Sequence, residues 1–155
     1  MSNFFDVTEL NNCIGNPKGD MDNLDWDALG SQLALIKEEF EELIDAVTQR
    51  NITEVRDATA DILVTTYGMA HRAGFDADQD MQVVHQSNMS KFCITRDEAA
   101  ETAMAYEKLD LNVTFRYLKN GSTAVISAKD QSVNGKFYPK GKLLKSINFK
   151  EPIFT

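Results

Sequence analysis

Two long segments with helical hydrophobic spacing follow one another almost without a break, and they constrain the fold more than anything else in the chain. The first runs from about Trp26 to Gln49, with Ile36, Phe40, Leu43, Ile44 and Val47 as its apolar stripe. The second runs from about Thr53 to Arg72, with Thr53 placed to cap its start and Gly74 to stop it. Shorter helices are predicted over about 2–14, Ala77–Lys91 and Arg96–Leu109. After Asp110 the character changes. Val113, Phe115 and Tyr117 alternate with polar residues as in a half-buried strand, Asn120-Gly121 suits a hairpin turn, and Thr123–Ala128 reads as the returning strand. The expected fold is mainly α: a bundle of four to five helices with a small C-terminal β-hairpin. Residues 1–110 form the helical part, and 111–155 a hairpin and tail packed on the same domain.

At 155 residues, 43% of them hydrophobic, the chain is the size of one domain with a real core. Its net charge of −8 argues against a general nucleic-acid binder, which needs a basic face to neutralise phosphates. It does not argue against a nucleotide, because acids that capture Mg²⁺ also capture the phosphates that travel with it. Cys13 and Cys93 fit neither a zinc motif nor a disulfide framework, and both are read as reduced thiols. No apolar run approaches a membrane span, and the acidic N-terminus lacks the features of a signal peptide. The expectation is a cytoplasmic protein without membrane or nucleic-acid partners.

The informative residues are carboxylates on the two long helices. At about 100° per residue, Glu38, Glu39 and Glu42 fall in one arc beside the apolar stripe, together with Leu35 and Ala46. Lys37, Glu41 and Thr48 face elsewhere. Taken alone, this is what a solvated acidic face looks like. The second helix is apolar almost all round, through Leu63, Val64, Met69 and Ala70, yet carries Asp57 and Asp61 one turn apart. A helix of that kind is usually buried, and buried carboxylates are costly unless their charge is cancelled. Either a cation such as Arg50, Arg56 or Arg72 pairs with them, or a metal does. Oxygen ligands without His or Cys suit Mg²⁺ or Mn²⁺ rather than Zn²⁺.

The run from Glu38 to Leu43 (EEFEEL), followed one helix later by DATADIL from Asp57 to Leu63, resembles the all-α nucleoside triphosphate pyrophosphohydrolases. These include MazG-type enzymes, dimeric dUTPases and phosphoribosyl-ATP pyrophosphohydrolase. Their signature is ExxE on one helix and ExxD on the next. VVHQSNMSK (Val83 to Lys91) and GKLLKS (Gly141 to Ser146) resemble later segments of the phage-like branch. The resemblance implies that Glu39, Glu42 and Asp61 bind Mg²⁺, and that Glu38 activates or positions the attacking water. It implies that Asn88 and Lys91 contact the nucleotide, with Lys142 and Lys145 reaching it from the tail. It departs at one point. Ala58 stands where ExxD begins, and Asp57, one residue earlier, points about 100° away.

The resemblance thus implies metal-dependent conversion of a nucleoside triphosphate to the monophosphate and pyrophosphate. A deoxynucleotide, dGTP among them, is the preferred substrate class and phosphoribosyl-ATP a further one. It also implies a homodimer or homotetramer with the site between subunits. Trp26, Tyr67 and Phe92 are aromatic candidates for stacking on the base, and equally for the core. A nucleotide-binding or interaction protein of the same fold, without turnover, is the competing expectation, kept alive by Ala58. His71 and His85 are read as surface or packing residues.

Overall fold

The computed structural model describes residues 2–154. Helices α1 (Asn3–Cys13), α2 (Trp26–Thr48), α3 (Ile52–Ala73), α4 (Ala77–Met89) and α5 (Arg96–Glu107) precede strands β1 (Val113–Tyr117), β2 (Thr123–Ser127), β3 (Gln131–Val133) and β4 (Lys136–Tyr138). The fold is mainly α, as expected. The tail adds a second hairpin, β3–β4, which the sequence reading did not contain. No helix is long and apolar enough to cross a membrane among the described residues.

Helix ends follow local chemistry. The Ser2 hydroxyl accepts from Phe5 N, and the Asp25 carboxylate accepts from the amides of Asp27 and Ala28. Helix α3 is capped by Asn51, whose Oδ1 accepts from Thr53 and Glu54, so the cap is Asn51 rather than Thr53. Gly74 ends α3 with φ of 93° and packs against the backbone of Gly19, which leaves no room for a side chain.

The chain divides into two compact units, one ending at Asp80 and the other beginning at Met81. The change of character at Asp110 therefore lies inside the second unit, because α5 packs on the β1–β2 hairpin. In unit 1, α3 packs against both α1 and α2. Phe4 and Val7 of α1, Leu29 and Ala46 of α2, and Ala58 and Ala70 of α3 are buried. His71 is fully buried. Its Nε2–H donates to the backbone oxygen of Asn16, which fixes the loop after α1 on α3.

Two expectations about unit 1 are corrected. Of the α2 stripe, Ile36 and Leu43 are half-buried, while Phe40, Ile44 and Val47 are exposed. Helix α3 is not buried all round either: Asp57 and Leu63 are exposed and Asp61 is half-buried. Packing against α1 and α2 covers only part of its circumference.

In unit 2, Cys93, Ala99, Ala103, Leu111, Val125 and Leu144 form the core. The buried strand is β2, all of whose residues are buried, whereas Phe115 and Tyr117 of β1 are exposed. Strand β2 is lined on one edge by β1, from Val113 opposite Ser127 to Tyr117 opposite Thr123. On its other edge it is bonded by Cys93 and by the tail through Lys142 and Leu144. Neither cysteine is paired; Cys13 is exposed and Cys93 buried.

Candidate metal and nucleotide site

The short link between α2 and α3 makes them antiparallel neighbours. Their register is set by Gln32, a buried amide on α2. Its Nε2 donates to the backbone oxygen of Thr65 at 2.8 Å, and its Oε1 accepts from Arg72 Nε at 2.8 Å. The same amide lies against Gly68, where a side chain would collide with it. Seven residues onward from Gln32 is Glu39, and seven back from Gly68 is Asp61. Ten residues in each direction pair Glu42 with Ala58.

The electrostatics agree with that register. The Glu39 carboxyl titrates above the ordinary range, first because burial strips it of water, then because of the negative charges of Asp61, Glu42, Glu38 and Asp57, in that order. Five carboxylates from two helices therefore share one field, with Asp61 the closest in effect and Asp57 the weakest.

No cation offsets them. Among the described residues the ion pairs are Lys37–Glu41, on another side of α2, and Lys145–Glu151. Arg72 is engaged with Gln32. The salt-bridge alternative from the sequence is therefore not realised. Nor do three of these acids converge on one point closely enough to grip an ion, among the described residues. Like charges without a counter-ion keep such side chains apart. The donor set still fits a hard cation: all oxygen, on rigid helices, repelled and unpaired.

Ala58 has 4% of its surface accessible. The position where the ExxD pattern carries Glu is thus packed between helices. Trp26 stands at the start of α2 and is 72% exposed, so it belongs to no core.

The other sequence candidates are in unit 2. Lys91 Nζ donates to the Asn88 side-chain oxygen at 2.6 Å, so these two form one polar pair at the end of α4. Lys145 pairs with Glu151 at 2.9 Å and lies over the Phe149 ring. Lys142 lies over Tyr138. Unit 1 thus brings Glu38, Glu39, Glu42, Asp57 and Asp61 into one field, and in unit 2 the backbone N–H of Ser146, next to Lys145, donates to Lys91 O at 3.2 Å. Sequence reasoning missed Gln32. Its one signal was an amide at an inward position two turns before Glu39.

Residues 7–88 match the phosphoribosyl-ATP pyrophosphohydrolase family, a span that contains the Gln32–Gly68 contact and all five carboxylates. An uncharacterized protein of Acanthamoeba polyphaga mimivirus is 35% identical over 115 residues, 71% of this chain and 42% of that protein. The chain spans about two fifths of that relative's length. The matched span covers more than half of the sequence, and on it the chain belongs to the phosphoribosyl-ATP pyrophosphohydrolase family, within the MazG-like all-α NTP pyrophosphohydrolase superfamily.

Proposed function

We propose that this protein is a metal-dependent nucleotide pyrophosphohydrolase that splits a deoxynucleoside triphosphate between the α- and β-phosphates, giving the monophosphate and pyrophosphate. The observation that carries this reading is Glu39, half-buried in the field of Asp61, Glu42, Glu38 and Asp57 and in no salt bridge among the described residues.

Glu39, Glu42 and Asp61 would hold Mg²⁺ or Mn²⁺, with Asp57 at the margin. A bound ion would supply charge neutralisation at the phosphates and acidify a water. Glu38, exposed and adjacent, would accept the proton of the attacking water or align it. Exposed Trp26 would present an aromatic face to the base. Positioning and charge compensation supply most of the acceleration in phosphoryl transfer.

A homodimer or homotetramer would complete the site. Leu33, Phe40, Ile44 and Val47 lie on one face of α2, each at least 49% exposed. A contiguous apolar face of this kind marks an association surface.

Buried Ala58 favours a second reading, nucleotide binding without turnover. The family match also keeps phosphoribosyl-ATP among the candidate substrates. One experiment separates these: pyrophosphate release from a panel of dNTPs, NTPs and phosphoribosyl-ATP, with Mg²⁺ and with EDTA. Metal-dependent formation of a monophosphate and pyrophosphate from dNTPs supports the proposal, and the panel ranks the bases, dGTP included. Turnover of phosphoribosyl-ATP alone changes the substrate. Binding without turnover of any of them selects the second reading.

A further inference from the structure

Charge is distributed unevenly along the chain. Residues 1–80 contain seventeen Asp and Glu against five Lys and Arg, whereas residues 81–155 contain seven against eleven. Unit 2 is therefore basic within an acidic protein. Part of that excess is gathered in one place.

Lys136 Nζ lies 5.4 Å from the centre of the Tyr138 ring and Lys142 Nζ lies 5.1 Å from it. The Arg116 guanidinium reaches the turn between Tyr138 and Lys142, with Nη2 3.9 Å from the position a side-chain carbon on Gly141 would take. Among the described residues none of the three cations is in an ion pair. The carboxylate at this turn, Asp130, accepts from the backbone N–H of Lys140 at 2.7 Å.

The frame beneath these side chains is fixed. Gly141 N donates to Ser127 O at 2.8 Å, Ser127 N to Lys142 O at 2.9 Å, and Lys142 N to Pro139 O at 3.0 Å. Tyr138 packs on the unit 2 core and pairs with Gln131 across β3–β4. Lys136 thus projects from β4 and Lys142 from a turn bonded to β2, rather than from a loose tail. Cations gathered around one ring and one turn without an ion-pair partner repel one another, and an anion bound among them removes that repulsion. A guanidinium beside two ammonium groups suits a polyphosphate, which offers bidentate oxygens and more than one charge.

We infer that Arg116 on β1, Lys136 on β4 and Lys142 on the turn that follows Tyr138 form a binding site for a phosphate chain, such as pyrophosphate or the phosphates of a nucleotide. The site consists of unit 2 residues alone and needs no metal. It does not rest on the proposed hydrolysis.

The test is calorimetric titration of the full-length chain with inorganic pyrophosphate and, separately, with a deoxynucleoside triphosphate. Both are done in EDTA at constant ionic strength. Saturable binding of pyrophosphate is expected, weakened at least tenfold in Lys136→Ala/Lys142→Ala. It should be unchanged in the charge-matched control Lys108→Ala/Lys119→Ala. Similar affinity for the two ligands identifies the phosphates as the recognised part. Tighter binding of the nucleotide, still lost in Lys136→Ala/Lys142→Ala, assigns the site to nucleotide phosphates. No pyrophosphate or nucleotide binding by the wild type, or equal weakening in the control, overturns the inference.

Discussion

The side-chain amide of Gln32 occupies the space that a methyl group on Gly68 would need, with Nε2 2.7 Å from where that carbon would sit. Alanine in a helix is favoured over glycine by about 1 kcal/mol, but breaking a buried amide's hydrogen bonds costs about 1–3 kcal/mol. Gly68→Ala should therefore destabilise the protein by about 1 kcal/mol. In a Gln32→Ala background the same change should stabilise by about 1 kcal/mol, because the obstacle is gone. Urea denaturation of the four-member cycle measures this, and additive effects would refute the interlock.

Ala58 sits in the slot where the ExxD pattern has Glu, 4% accessible and opposite Glu42. Ala58→Glu would force a carboxylate into a packed helix interface beside another acid. The expected outcome is a loss of at least about 2 kcal/mol of stability without metal, from overpacking and charge burial together. It should not yield a more active enzyme. Thermal denaturation in EDTA and with Mg²⁺ decides the matter, since higher stability and activity with Mg²⁺ would mean that the slot accepts a ligand.

Glu39 titrates high because of burial and four neighbouring acids. A carboxyl that holds its proton more tightly in the folded state destabilises the fold once ionised. Metal-free stability should therefore fall as pH rises from the ordinary carboxyl range through the raised value of Glu39. Glu39→Gln should remove that pH dependence and raise metal-free stability at pH 7 by up to about 1 kcal/mol. It should also abolish Mg²⁺-dependent turnover, and full activity in this variant would remove Glu39 from the metal site.

Glu98 behaves in the opposite sense. Burial pushes its carboxyl up, but hydrogen bonds from the Ser146 hydroxyl, the Ile94 amide and other donors outweigh this and hold it below the ordinary range. Its N–H in turn donates to Thr95 Oγ1, completing a cap on α5 that also ties down the tail. The stability it contributes is present above the ordinary carboxyl range and is lost as pH falls through its lowered value. Glu98→Gln should cost about 1–2 kcal/mol at pH 7 and flatten the acid limb of the stability profile. Stability measured between pH 3 and 7 checks both.

Phe40→Glu places a charge in the exposed apolar face of α2. If that face joins two copies, the dissociation constant should rise at least a hundredfold, the scale of an anchor residue lost from an interface. Light scattering after size-exclusion chromatography reads it, and an unchanged mass would assign the face another role.

The helices were legible because their apolar periodicity and end signals are local. Trp26, Gly74 and Arg96 mark observed boundaries that the sequence also marked. The cap at Asn51 was misplaced by two residues because Thr53 offers similar chemistry. The partition of the strands was not legible, since burial of β2 depends on Cys93 and the distant tail segment. The five carboxylates were singled out by their helical spacing and by the resemblance, and the structure brings them into one field. Their exposure was misjudged, because a run of apolar residues says a face wants to be covered, not that the same chain covers it. Gln32 went unseen because its role requires Gly68, which lies on another helix.

Strand β2 is the centre of unit 2, and the segment that closes its second edge comes from Lys142–Leu144, near the end of the described chain. The α2–α3 pair, by contrast, is joined by a three-residue link and forms from local contacts. Synthesis from the N-terminus therefore delivers the two units on different schedules. The acidic helical pair can form while the rest of the chain is still being made. The second core must wait for its last strand-like segment to emerge, and until then the inner edge of β2 is open to pairing with another nascent chain.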